Sequence, residues 1–106
     1  MAMIDFALRQ TCTIHPWIRV AEGQDIYGPP ETRACRIQRG HHLGERHVYL
    51  HPDGPLDTVE AKTMMYCTGE MIPTRSRVEC DGASYIVLDC YEARGFGVSH
   101  LEVFLQ

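Results

Sequence analysis

Within residues 72–105 three short segments place apolar residues at every second position, the period of a strand with a single buried face. Val78 and Cys80 share one face of a first segment, Ile86, Leu88 and Cys90 one face of a second, and Leu101, Val103 and Leu105 one face of a third. Asp81-Gly82 separates the first two, and that dipeptide tolerates the positive φ angles of a tight two-residue hairpin. The three segments therefore read as an antiparallel meander. Upstream, residues 11–20 set Cys12, Ile14, Ile18 and Val20 against Thr13, His15, Trp17 and Arg19, with Pro16 removing one ladder donor, so that this strand is bulged or at an edge. Residues 21–30 read as a long connection punctuated by Tyr27-Gly28-Pro29-Pro30. Residues 32–39 return as a strand, and residues 60–68 set Thr63, Met65 and Cys67 against Met64 and Tyr66. Residues 4–10 fit a short amphipathic helix and an extended arm equally well. Six such strands and little helix predict an all-β fold, a small antiparallel β barrel or sandwich with long loops. Residues 1–106 form one domain in this reading, with a loop excursion at about residues 40–57.

At 106 residues the chain is long enough for a single core, yet short enough for its stability to lean on neighbours. The formal charge is −4. Residues 1–40 carry five Arg against four acids and residues 41–71 two basic residues against five acids, so no basic stripe is present to grip a phosphate backbone. Sequence-reading DNA binding is not expected. The start, Met1 to Phe6, carries an acid and lacks a basic region before an apolar run, so a signal peptide is not expected either. No run approaches the roughly 20 apolar residues of a membrane span. Cys12, Cys35, Cys67, Cys80 and Cys90 are scattered without a C-x-x-C and share parity with apolar strand neighbours, which predicts free, buried thiols in a reducing compartment.

Four of the six histidines lie in residues 40–57. On a strand, His47, Tyr49 and His51 would point the same way, and Cys35 or His42 would complete a tetrahedral zinc site, but the spacing matches no standard zinc motif. A solvated loop or an excursion hairpin explains the segment without a metal, and no cofactor is expected. Ser99, His100 and Asp89 supply the residue types of a triad, but neighbours on a strand face opposite ways, against the geometry that a nucleophile and its base require. Gly95-Phe96-Gly97 has too few glycines and no following helix to cradle a phosphate. An enzyme is not expected. Trp17 and Tyr27 suit interface anchors and core or turn packing alike.

Three motifs, in this order, resemble a known family. They are Asp25-Ile26-Tyr27-Gly28-Pro29 after the first strand, Arg77-Val78-Glu79-Cys80-Asp81-Gly82-Ala83-Ser84-Tyr85-Ile86-Val87 as a central hairpin, and Ser99-His100-Leu101-Glu102-Val103-Phe104-Leu105 as a last strand. The chain is similar in this respect to the head-closure, or stopper, proteins of long-tailed bacteriophages, also described as head-tail joining or minor capsid proteins. It departs from their pattern in Arg77, where the family has an aspartate, and in the His-rich middle. The resemblance implies a structural subunit of a phage neck ring, made in the host cytoplasm and located in the virion between head and tail, that closes the DNA channel after packaging and offers the tail a docking surface. The implied partners are neighbouring copies in the ring, a portal-side adaptor ring, a tail terminator or tail, and packaged DNA held without sequence-specific contacts; a membrane is not among them. It also implies a channel gate in the excursion, with Gly40, His41, His42, Leu43, Gly44, Glu45, Arg46 and His47 as its candidate residues. Ring contacts would come from edge strands and long loops, with Trp17, Arg19, Tyr27 and Pro29 as candidates. A reading from another class is a free-standing small β binding domain, metal-regulated through its His-rich segment.

Overall fold

In the computed structural model, which describes residues 8–39, 46–50, 56–60, 63–95 and 98–106, six strands close into an antiparallel barrel in the order β1-β4-β7-β10-β9-β8. These are β1 (Gln10–His15), β4 (Glu31–Arg39), β7 (Thr63–Cys67), β8 (Arg77–Cys80), β9 (Ala83–Gly95) and β10 (Val98–Leu105). The other strands form two two-stranded sheets, β2 (Trp17–Ala21) with β3 (Gln24–Tyr27) and β5 (Arg46–Leu50) with β6 (Leu56–Glu60). The described residues contain no helix; residues 1–7, which hold most of the helix-or-arm segment, lie outside them, and Gln10 already belongs to β1.

The alternation read from the sequence fills the barrel. Cys12 and Ile14 from β1, Cys35 from β4, Met65 and Cys67 from β7, Val78 and Cys80 from β8, and Leu101, Val103 and Leu105 from β10 belong to one buried cluster. A small barrel has room inside only for the side chains of its own strands, which is why thiols and valines, rather than aromatics, dominate this interior. All five cysteines are free and buried.

β9 departs from the expected pattern. Ile86, Leu88 and Cys90 do not share the inner face: Tyr85, Val87 and Cys90 belong to the interior cluster, while Leu88 joins Met64 and Phe104 in a second one, with Tyr66 packed against it. The cause is a bulge. Phe104 pairs with Asp89 and Leu105 with Val87, leaving Leu88 as the extra residue, and one extra residue inverts the parity of everything beyond it. The ladder then resumes, with Ile86 and Gln106 exchanging both backbone hydrogen bonds at 3.1 and 3.0 Å.

Residues 68–76 carry the chain from β7 to β8 and send Ile72 into the interior cluster. Arg33 holds this connection from β4: its Nη1 donates to the Thr68 and Glu70 carbonyls at 3.1 and 2.8 Å, while its Nε and Nη2 donate to the Glu31 carboxylate at 3.0 and 2.7 Å. Gly69 is required beside it, because its φ is +103° and a Cβ there would sit 3.2 Å from the guanidinium.

The hairpins leave from opposite ends of one strand. β2 and β3 are inserted between β1 and β4, where Ile14 pairs with Glu31, whereas β5 and β6 are inserted between Arg39 and Thr63, which are partners across β4 and β7. Eight steps along β4 at about 3.3 Å each place the two departure points roughly 26 Å apart.

The Asp81-Gly82 turn is the expected one, with φ of 51° and 79° at the two residues. A Cβ at Gly82 meets nothing within 4 Å, so only backbone strain opposes substitution. Gly82→Val is expected to cost about 1–2 kcal/mol, read as a lower urea midpoint. The thiols give a second expectation. Burial pushes Cys67 up to about 11, so the native state holds this proton through a range where the unfolded thiol, near pH 9 or just below, has lost it. That contribution is complete below about pH 9 and disappears as the pH rises through about 11, so the urea midpoint should fall across this range, and Cys67→Ala should flatten part of the fall.

Candidate assembly surface

The β2–β3 hairpin is the best-described surface element, and its shape follows from three local features. Pro16 ends β1, so the single strand expected over residues 11–20 is two strands. The register shifts between Trp17 and Arg19, which makes Ile18 an extra residue, 54% exposed, rather than a companion of Ile14 on the inner side. Glu22 and Gly23, with φ of 52° and 75°, turn the chain back into β3, so the connection expected over residues 21–30 contains a strand.

Trp17 fixes this hairpin to the barrel. Its indole N–H donates to Asp25 Oδ1 at 2.8 Å, its backbone N–H donates to Ser76 Oγ at 2.9 Å, and the Arg75 guanidinium lies 5.1 Å from the ring centroid. Arg75 itself has a φ of 79°. Its amide donates to the Val87 carbonyl at 2.8 Å, and a cation over an indole face is attractive by about 0.5–2 kcal/mol, which helps to offset the strained backbone. Tyr27 is the cross-strand partner of Trp17; burial, then the Asp25 charge, raise its hydroxyl above the usual tyrosine range, opposed by Arg77. Gly28 donates its N–H to the Pro16 carbonyl at 2.7 Å, and Ile18 occupies the space a side chain at Gly28 would need, 3.3 Å from its Cβ position.

Of the four ring-interface candidates, the structure thus pairs Trp17 with Tyr27 at the hairpin root, while Arg19 and Pro29 are exposed. The sequence pointed to neither Ile18 nor Met71 as a surface residue, although each is 54% exposed. Their exposure depends on a bulge and on an irregular connection, neither of which leaves a periodic trace. Beside the hairpin root, Pro16, Ile14, Arg33, Met71, Ile72 and Pro73 line much of a groove of about 200 Å³. Pro16, Met71 and Pro73 make one side of the groove's rim apolar and Glu31, Arg33 and Glu70 make the rest charged, while Ile18 stands beside Pro16 at Gly28.

The gate candidates divide. Gly40, His41, His42, Leu43, Gly44 and Glu45 lie outside the described residues, whereas Arg46 and His47 begin β5 and pair with Glu60 and Val59. The excursion is a hairpin that runs on to Glu60, beyond the limit of about residue 57 expected from the sequence, and β5 lies alongside β9. For the zinc reading, His42 and His51 lie outside the described residues, and Cys35 is enclosed in the barrel, hydrogen-bonded to Cys12 and Cys80. Among the described residues no group of three His, Cys, Asp or Glu side chains has metal-binding geometry. Ser99, His100 and Asp89 are not brought together. His100 Nε2 lies 3.5 Å from Glu102 Oε2, and Asp89 accepts hydrogen bonds from the Tyr91 hydroxyl and the Cys90 amide at 2.7 and 3.1 Å. His100 and Asp89 are also four positions apart along the β9–β10 register, roughly 13 Å.

Compared with known proteins, the chain matches no family model, no curated protein and no solved structure.

The Trp17–Asp25 bond supplies a test of the hairpin root. Trp17→Phe removes the donor and part of the ring while keeping an aromatic face for Arg75, so it should cost at least about 0.5–1.5 kcal/mol from the lost hydrogen bond. In a double-mutant cycle with Asp25→Ala the two substitutions should be non-additive, the double variant little less stable than either single one. Additive losses in urea unfolding would mean that the bond does not hold the hairpin.

Proposed function

We propose that this chain is a structural subunit of a phage neck ring, which closes the DNA channel after packaging and gives the tail a surface to dock on. The observation that carries the reading is the two-ended architecture: a closed barrel with one hairpin leaving each end of β4. Within its ladders the closed barrel leaves no open edge, so the strand edges that remain open for pairing with another chain lie on the two hairpins and on the far ends of β9 and β10, where residues 93–95 and 98–100 pair only with each other. A ring subunit needs two different surfaces, because head-to-tail contacts join one patch to a different patch of the next copy. The β2–β3 root, with its mixed apolar and charged groove, and the excursion at the far end of β4 are two such surfaces. The order of the three motifs shared with the stopper family supports the same reading, as does the charge of −4 without a basic stripe, which suits a channel that DNA must pass without sticking.

In this reading the excursion is the gate and the β2–β3 hairpin belongs to the ring interface, with Trp17 and Tyr27 shaping it and Arg19, Pro29 and Ile18 presented on it. The neighbouring ring acts as a template. Contacts made by loops that order on docking lose part of their gross energy to that ordering, so the isolated chain should sediment as a monomer or a weak oligomer at micromolar concentration. A stable ring formed alone would contradict the templating.

Excision of the excursion tests the gate. Arg39 and Thr63 are cross-strand partners, so a short Gly-Ser turn can join β4 to β7 directly in place of residues 40–62. Loop shortening changes closure entropy little, and the barrel should still fold. Since β5 lies alongside β9, a loss of stability is expected on that side of the barrel. Particles built with the shortened chain should package DNA and then leak it before a tail attaches. Particles that retain their genomes as well as the parent would move the gate elsewhere.

A further inference from the structure

Four cysteines sit on four consecutive strands of the barrel: Cys67 on β7, Cys35 on β4, Cys12 on β1 and Cys80 on β8. Cys12, Cys35 and Cys67 are sealed in the interior, with at most 1% of their surface exposed. Cys80 is placed differently. Together with Gln10, Ile37, Asp81 and Tyr85 it lines a cavity of about 360 Å³ at the end of the barrel where β1 begins and β8 ends. Gln10 spans this cavity, donating from Nε2 to Asp81 Oδ2 at 2.6 Å and accepting from the Ile37 amide at 2.7 Å. The Cys80 thiol lies 3.6 Å from the Thr11 carbonyl, directly against β1.

The Cys35 thiol touches that of Cys80, but β1 lies between their strands, a separation of about 9–10 Å across the sheet that a disulfide does not span; Cys12, on the adjacent strand, is the thiol placed to bond to it. The β1–β8 ladder pairs Thr13 with Glu79 and Ile14 with Val78, so the next pair outward in that register is Cys12 with Cys80, both pointing into the barrel. Directly opposed residues of an antiparallel pair have Cα atoms about 4.5–5.5 Å apart, within the range a disulfide spans without backbone movement. The ladder concerned is the seam that closes the barrel, and it is the shortest of the six, spanning only residues 13–15 against 77–79.

We propose that Cys80 and Cys12 form an entry-and-resolving thiol pair that a small disulfide oxidant, entering by the Gln10–Tyr85 cavity, converts into a staple across the β1–β8 seam. In the first step Cys80 loses its proton to solvent and its thiolate attacks one sulfur of the oxidant; the oxidant's S–S bond breaks and one carrier thiolate leaves and takes up a proton. In the second step the Cys12 sulfur attacks Cys80 Sγ in the mixed disulfide, and the second carrier thiolate departs with the Cys12 proton. Two protein thiols are oxidised, and one oxidant disulfide is reduced to two carrier thiols. Cys35 acts as a positioning residue, because its hydrogen bond to Cys12 lowers that thiol and favours the attacking thiolate. Burial raises Cys80, which makes the first step slow near neutral pH and faster as the pH rises.

The test uses the folded chain, reduced and then exposed to hydroxyethyl disulfide at mildly alkaline pH, with thiols counted in denaturant and the linked peptides mapped by mass. Of the five thiols, two should disappear, leaving three, with the Cys12 and Cys80 peptides joined and dithiothreitol restoring all five. Cys12→Ser should stop at a carrier adduct on Cys80, Cys80→Ser should leave the remaining thiols intact, and Cys35→Ala, which removes the donor to Cys12, should shift the pH profile of the resolving step upward. The stapled chain should unfold at higher urea, since the new bond ties the seam. Survival of all five thiols, a first adduct on another cysteine, or a link other than Cys12–Cys80 in the unsubstituted chain overturns the proposal. The map of the unsubstituted chain decides it even if a serine variant fails to fold.

Discussion

Closure of the six-stranded sheet is the constraint on which the rest depends. A sheet closed on so few strands encloses a space that only its own inward side chains can fill, so each inward position must be apolar and of limited size. The interior answers with Cys12, Ile14, Cys35, Met65, Cys67, Val78, Cys80, Val87, Val103 and their neighbours. Closure also uses both edges of the barrel strands along their ladders, leaving open edges only at strand ends such as residues 93–95 and 98–100. The two hairpins had to enter at strand ends, and so the molecule presents different structures at the two ends of β4.

That constraint explains what was legible in the sequence. In β1, β7, β8 and β10 the inward residues alternate without interruption, and the strands and their buried faces follow from the period alone. β9 looks equally regular, yet the bulge at Leu88 divides it; Leu88-Asp89-Cys90 contains no glycine or proline to announce the extra residue, and Leu88 remains apolar because it packs against Met64 and Phe104 in the outer cluster. The same kind of shift hid the role of Ile18, whose parity with Ile14 is broken by Pro16 and a second bulge. Gln24–Tyr27 is too short and too polar to show a period. In the excursion, Leu56–Glu60 pairs with Arg46–Leu50 as a local hairpin, one of the two forms the sequence allowed for this segment.

The candidate site was legible in part. Trp17 and Tyr27 stood out as aromatics beside a turn, but the sequence did not show that they are cross-strand partners at the root of a hairpin. Trp17 is committed to Asp25, Ser76 and Arg75, so it shapes the surface while Ile18, Arg19 and Pro29 are presented on it. Arg33, which ties residues 68–70 to β4, had no signature in the sequence, because its importance lies in carbonyls 35 and 37 residues away. The cysteines were legible as buried thiols, but not as a row on neighbouring strands, since strand order in the barrel is not chain order.

These features describe a closed barrel with a hairpin at each end of β4, and the proposed function takes the two hairpins as the contact elements of a part held between others. The proposed function places the chain's gene in a phage genome, and the measurement that bears on it most directly is electron microscopy of the tailed particles such a genome makes, with the chain's presence in them checked by mass spectrometry. A neck subunit should appear in purified particles as a ring between portal and tail, with the barrel resolved in each copy and the excursion directed toward the axis. If the chain is missing from purified particles and recovered only as free protein from the lysate, the ring-subunit account is wrong.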